Sequence, residues 1–387
     1  MFMRVLFLYL CLAVSFQTVS LTLGIQKLDS IVPDLKDKRV GVVVNHTSQY
    51  QGVHLVDSLL AKNIKVVRIF SPEHGFRGDQ DAGASIANGQ DTQTGVAIFS
   101  LYGKTKKPTP ESLANIDMLI FDIQDVGVRF YTYISTMHYV MEAAAEHGIP
   151  LIVLDRPNPN LAFVDGPVLE PEFRSFVGMH PIPVLHGMTV GELAKMIKGE
   201  GWIALAEKLQ LTVVPMSDYN ESVRVSLPIP PSPNLPNDQA VQLYPSLCFF
   251  EGTAVSVGRG TSWPFQLYGH NKVALGKFNI TPHPNNGASN PKLNGQLLYA
   301  SDLRQSNVHG LSLEWLVSSY SKFAAANEPF FTAASFFDKL AGTDKLRLGI
   351  LAGKSSEQIK KDWQDDLLAF RTRRAPYLIY ERILDPK

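Results

Sequence analysis

Five short apolar runs divide the first half of the chain: Val40–Val44, Val66–Phe70, Val96–Leu101, Met118–Phe121 and Leu151–Leu154. Each is too short for a buried helix and long enough for a strand covered on both faces. Helical periodicity separates them at Val53–Ala61, Pro110–Asn115 and Phe130–His147. Short apolar strands alternating with helices build a parallel sheet sandwiched by helices. The fold class is therefore α/β, with a Rossmann-like, doubly wound and mostly parallel sheet.

The pattern changes near residue 227. Leu227–Pro236 carries five prolines in ten residues, which makes a stiff, extended segment. It reads either as an inter-domain strap or as a loop laid along a cleft. Beyond it, helical patterns at Leu313–Ala325 and Ser356–Phe370 mix with glycine-rich loops. The expected layout is a leader over residues 1–24, a Rossmann-like catalytic domain over 25–236 and a smaller α+β lid domain over 237–387.

The chemistry collects where each apolar run ends. The exits read Asn45-His46-Thr47-Ser48, Ser71-Pro72-Glu73-His74-Gly75, Tyr102-Gly103, Asp122-Ile123-Gln124-Asp125-Val126-Gly127 and Asp155-Arg156-Pro157-Asn158-Pro159. In an open parallel sheet these exits share one edge, where ligands bind. Asn, Asp and Ser also serve as turn residues and helix caps, so any one exit alone has a structural reading. No glycine-rich dinucleotide turn comes after the first strand, and no Walker loop, nucleophile elbow or H-E-x-x-H helix is present. No cofactor is expected.

Met1-Phe2-Met3-Arg4 followed by the apolar stretch Val5–Val14 has the layout of a secretory signal peptide. Gln17, Thr18 and Ser20 interrupt it before a membrane helix is complete. No stable membrane anchor is expected after cleavage, and the mature chain is expected in the periplasm or outside the cell. Removing the leader with Arg4 leaves 35 basic and 36 acidic residues, a balance that does not suit a nucleic-acid surface. Cys248 is then the one remaining cysteine; between Leu247 and Phe249 it reads as a small buried hydrophobe.

Several stretches taken together carry a resemblance. They include Gly41–Thr47, Ser71–Gly78, Asp122–Tyr133, Asp155–Pro159, Gly187–Leu193, Pro231–Pro236, Tyr244–Ser246, Glu251–Thr253 and Gly258–Phe265 through Tyr268-Gly269. In this order they resemble the exo-β-N-acetylmuramidase family of the NamZ type. The resemblance implies a glycoside hydrolase that removes N-acetylmuramic acid from non-reducing ends of peptidoglycan fragments. It implies a cleft between a Rossmann-like domain and a lid, and places a catalytic glutamate on Glu73. The expected partners are peptidoglycan-derived saccharides or muropeptides.

Glycoside cleavage needs a proton donor at the leaving oxygen and a second group assisting at the anomeric carbon. Glu73, rigidified by Pro72, suits the first role. Asp122 and Asp125 are candidates for the second if their strand neighbours that of Glu73. His74 either holds Glu73 or binds substrate. The lactyl carboxylate calls for a cation, and Arg129 and Arg259 are the candidates. Asn45, Tyr131, Asn158, Asn234 and Trp263 complete the expected substrate-binding set, Asn234 for the acetamido group and Trp263, beside Phe265, for stacking. Two rival readings stand. His46, Glu73, His74, Asp122 and Asp125 could hold a metal, or the cleft could bind muropeptides without turnover.

Overall fold

The computed structural model describes residues 21–73, 75–76 and 88–383. His74 lies outside the described residues.

Seven strands form the main sheet. In spatial order they are Leu211–Val214, Leu151–Leu154, Met118–Asp122, Arg39–Val44, Lys65–Ser71, Ala97–Ser100 and Gly89–Gln90. The first six are parallel and the short Gly89–Gln90 edge strand is antiparallel. Counted along the chain, the sheet has the doubly wound layout of a Rossmann domain, with the first strand, Arg39–Val44, at its centre. The Leu211–Val214 strand is absent from the apolar pattern because it lies at the sheet edge, where only Val214 is fully buried.

Side chains alternate across the sheet, as the strand period of two demands. Val43, Phe70, Phe121 and Val153 point into one core, beneath the Tyr133–His147 helix. Val42, Val44, Ile69, Ile120 and Ile152 point into the other, against Leu55 and Leu59 of the Leu55–Ala61 helix. The long helix ends at Gly148, whose φ of 65° is the left-handed cap conformation that glycine adopts without strain.

The smaller domain holds a three-stranded antiparallel sheet, ordered Leu267–His270, Leu298–Asp302, Phe278–Ile280. The Glu314–Ala325 helix lies against it, with Phe323 4.8 Å from His270 and Trp315 6.3 Å from Tyr268, while the helices Asp238–Leu247 and Ala334–Ala341 pack on the short Cys248–Gly252 helix. The pattern over Ser356–Phe370 resolves into two helices, Ser356–Lys361 and Gln364–Arg374. They break beside Trp363, which is buried and donates its indole N–H to Asp165 at 3.1 Å.

Both ends of the described chain meet on the Rossmann domain. Thr22 and Ser217 exchange backbone hydrogen bonds at 3.1 and 3.0 Å. Gly24 sits so close to the Asp155 amide that a Cβ would lie 2.6 Å from its nitrogen. Residues 21–24, grouped with the leader on sequence, thus belong to the folded body. From the other end, Tyr380 donates its hydroxyl to Asp155 at 2.7 Å and accepts from the Met216 amide at 2.8 Å. Arg382 pairs with the buried Glu192 at 2.5 Å. Among the described residues no helix is long and apolar enough to cross a membrane.

Candidate active site

A cavity of about 380 Å³ lies between the two domains, at the sheet edge where Glu73 emerges. The Lys65–Ser71 strand delivers Glu73 through Pro72, and the turn closes at Gly75, φ 77°, whose amide donates to the Pro72 carbonyl at 3.1 Å. Thr132, the residue before the Tyr133–His147 helix, donates its hydroxyl to Glu73 Oε2 at 2.7 Å. That bond fixes the carboxyl rotamer on the cavity wall.

The proline segment runs along the cavity. Tyr131 donates its hydroxyl to the Pro231 carbonyl at 2.8 Å, and His46 Nε2 lies 2.8 Å from the Pro230 carbonyl. Both sequence readings of the segment therefore describe one object, a strap lining a cleft. Asn234 also lines the cavity, and its amide nitrogen donates to the Gly287 carbonyl at 2.7 Å. Tyr131 meets Tyr244 edge to face at 5.9 Å, and Tyr244 meets Phe265 at 5.0 Å, giving an aromatic floor. Burial pushes the Tyr131 and Tyr244 phenols well above their ordinary range, so both stay hydroxyls.

The opposite wall belongs to the smaller domain. Glu251, in the short Cys248–Gly252 helix, pairs with Arg259 Nη2 at 2.6 Å. Arg259 is carried between Gly258 and Gly260, at φ 80° and 81°. A Cβ on Gly258 would lie 2.7 Å from the Trp263 carbonyl, and one on Gly260 would lie 2.6 Å from Pro291, so only glycine fits at either position. The Arg259 guanidinium also lies 5.2 Å from the centre of the Phe265 ring. Behind Glu251, Lys292 donates to the carbonyls of Phe250, Glu251 and Thr253 at 3.2, 3.4 and 2.5 Å. Phe336 and Leu340, from the Ala334–Ala341 helix, complete the lining.

Other sequence candidates stand elsewhere. Asp122 is on a strand separated from that of Glu73 by Arg39–Val44, about 10 Å across two strand spacings. Its two oxygens accept from Arg156 at 2.6 and 2.8 Å in a fully buried pair, and it does not line the cavity. Asp125 does not line the cavity; it accepts from the Gly127 amide at 2.7 Å, and burial pushes its carboxyl up to about 7.

Arg129 is not a substrate cation. It is fully buried and its terminal nitrogens donate to four carbonyls, those of Pro167, Ile182, Leu340 and Ala341, at 2.6–3.0 Å. It ties the Rossmann domain to the end of the helix carrying Phe336 and Leu340. Asn45 accepts from the amide and hydroxyl of Thr47, and Asn158 donates to Met188 and accepts from Asn160; both lock loops rather than face the cavity. Trp263 lies in the smaller domain, with Arg304 over its ring at 4.2 Å, and does not line the cavity either.

The structure thus brings together Glu73, Tyr131, Asn234 and Arg259. Sequence reasoning assigned no role to Thr132, Ser232 or Glu251, although all three sit inside the motifs that carry the resemblance. Among the described residues no three His, Cys, Asp or Glu side chains converge as metal ligands would.

Comparison with known proteins agrees with this architecture. The family model for the N-terminal domain of the exo-β-N-acetylmuramidase NamZ matches residues 40–239, and that for its C-terminal domain matches residues 242–380. The peptidoglycan β-N-acetylmuramidase NamZ of Bacillus subtilis (strain 168) is 40% identical over 383 residues, spanning 91% of this chain and 90% of its own length. Two crystal structures of DUF1343 family proteins from Bacteroides fragilis NCTC 9343 are also similar. One is 43% identical with a TM-score of 0.85, covering 94% of this chain and 99% of its own. The other is 31% identical with a TM-score of 0.80, covering 93% and 99%. The chain belongs to the exo-β-N-acetylmuramidase NamZ family of glycoside hydrolases.

Proposed function

We propose that this protein hydrolyses the terminal β-linked N-acetylmuramic acid at non-reducing ends of peptidoglycan fragments, within cell-wall turnover and recycling. The observation carrying this reading is that one cavity holds a positioned carboxyl, Glu73, and a cation, Arg259. Its volume lies at the small end of ligand pockets, about 300–1,000 Å³, and suits a single terminal sugar.

In this reading Glu73 gives its proton to the glycosidic oxygen as the bond to the anomeric carbon breaks. Arg259 is the one basic side chain among the described lining residues. A guanidinium has five N–H donors, so with Glu251 on Nη2 it retains others for the lactyl carboxylate. The hydroxyl of Tyr131 and the side chain of Asn234 border the space left for the acetamido group. The apolar leader supports export, and the substrate is found outside the cytoplasm.

The test uses the mature chain on the β-1,4 disaccharide of N-acetylmuramic acid and N-acetylglucosamine, with chitobiose as control. Release from the muramide alone, unchanged by EDTA and lost in Glu73→Gln, supports the reading. Binding without turnover, or loss of activity in EDTA, replaces it with the muropeptide-binding or metal-dependent alternative. Arg259→Ala is expected to lower the preference for the muramide over a glucosaminide.

A further inference from the structure

With Asp122 and Asp125 placed outside the cavity, the site still needs its second functional group. Glu251 shares the Glu73 cavity, reaching it from the other domain. Its side chain is 24% exposed, enough to meet a ligand while held by the protein. It is the only other carboxylate among the described residues lining that cavity.

Glu251 accepts from a guanidinium, that of Arg259. Glycosidases need one carboxyl that arrives with a proton and one that arrives charged. An arginine beside a carboxylate suits the charged partner, because it stabilises the anion without being able to give up its own proton readily. The backbone of Glu251 is fixed as well: Lys292 binds its carbonyl and two others nearby. Gly252 packs against Phe337 so tightly that a Cβ would lie 2.6 Å from it.

We propose that Glu251 is the second catalytic carboxylate, facing the anomeric carbon on the side opposite the leaving group. This rests on the proposed muramidase reading. As Glu73 protonates the leaving oxygen and the glycosidic bond breaks, an electron pair reaches the anomeric carbon from the Glu251 side. It comes either from Glu251 itself, whose ester water then hydrolyses, or from a water whose proton Glu251 accepts. In each case the net change is addition of one water across the bond.

Azide separates this role from a structural one. Glu251→Ala and the isosteric Glu251→Gln would be assayed on 4-nitrophenyl β-N-acetylmuramide with and without sodium azide, alongside Glu73→Gln. Unfolding midpoints would be measured for all. The expected result is a loss of about 10²-fold or more for both Glu251 variants. Azide, small enough to enter the space left in Glu251→Ala, restores at least about tenfold and yields the α-glycosyl azide. Activity within tenfold of wild type in a folded variant overturns the proposal. So does a folded, inactive Glu251→Ala that azide does not rescue, or one that yields the β-glycosyl azide. The Glu73 reading fails separately, if Glu73→Gln keeps full activity on the natural disaccharide while the Glu251 variants lose theirs.

Discussion

Glu73 and Asp122 emerge from the same sheet edge, on strands that flank Arg39–Val44. At Asp122 the space is filled: Arg156 grips both oxygens, and both residues are buried. Nearby, Asp155 accepts from Thr189, Gly191, Tyr380 and its neighbour's amide. Glu73 accepts from Thr132 and borders a cavity wide enough for a sugar. The difference shows that an ionisable residue at a strand exit becomes a site only where the fold leaves room beside it. A buried ion pair closes the edge; a carboxyl on a cavity wall leaves it open to substrate.

The sharpest test sets the two acids against each other. Glu73→Gln should lower turnover by about 10²–10⁴-fold with the denaturation midpoint unchanged. Asp122→Ala should do the reverse in kind. It leaves the Arg156 charge buried without its partner, at about 3–5 kcal/mol of stability, read from urea unfolding. A folded but inactive Asp122→Asn beside an active Glu73→Gln would break the comparison.

Next in size is Arg129. Arg129→Met removes the donors to four buried carbonyls across the domain boundary. A loss of about 3–5 kcal/mol is expected, with weaker substrate binding as Phe336 and Leu340 lose their support. A variant as stable as wild type with a selective loss for acidic sugars would return Arg129 to the substrate.

Asp125 gives a pH signature. Its folded-state carboxyl, raised to about 7 by burial, holds a proton that the unfolded chain releases at about pH 4. Between those values the folded state binds more protons, so stability falls as pH rises from about 4 to 7 and then levels. The span amounts to a few kcal/mol. Asp125→Asn should flatten that part of the curve in unfolding experiments across about pH 4–8. An unchanged slope would show that Asp125 is ionised in the folded protein.

The smallest effect is expected at the strap. Tyr131→Phe removes one hydrogen bond to Pro231, worth about 1 kcal/mol, and should raise KM several-fold with kcat nearly kept. An equal fall in kcat would place the Tyr131 hydroxyl in the chemistry.

Much of this was legible in the chain. Short apolar runs marked the central strands, because burial on both faces leaves little room for polar residues. The Leu211–Val214 edge strand escaped, since one side faces solvent and Thr212 breaks the run. The position of Glu73 at a strand exit was legible from Pro72 and the Gly75 turn. The places of Glu251 and Thr132 on the cavity were not, because one reaches it from the other domain and the other from a helix start about sixty residues downstream of Glu73, and no local pattern encodes which residues meet across a cleft. Arg129 and Asn158 misled for another reason: sequence shows a polar group near an edge but not the backbone groups already waiting for it.

The packing of Leu21 and Leu23, near one end of the described residues, with Met216, Tyr219 and Tyr380 has a consequence for biogenesis. The outermost parallel strand of the sheet, Leu211–Val214, runs directly into residues sealed by Tyr380. A polypeptide delivered from its N-terminus therefore cannot finish its first domain until residue 380 arrives. Truncation before Tyr380 would leave that edge of the sheet ajar, and a circularly permuted chain joining the two ends would keep it shut.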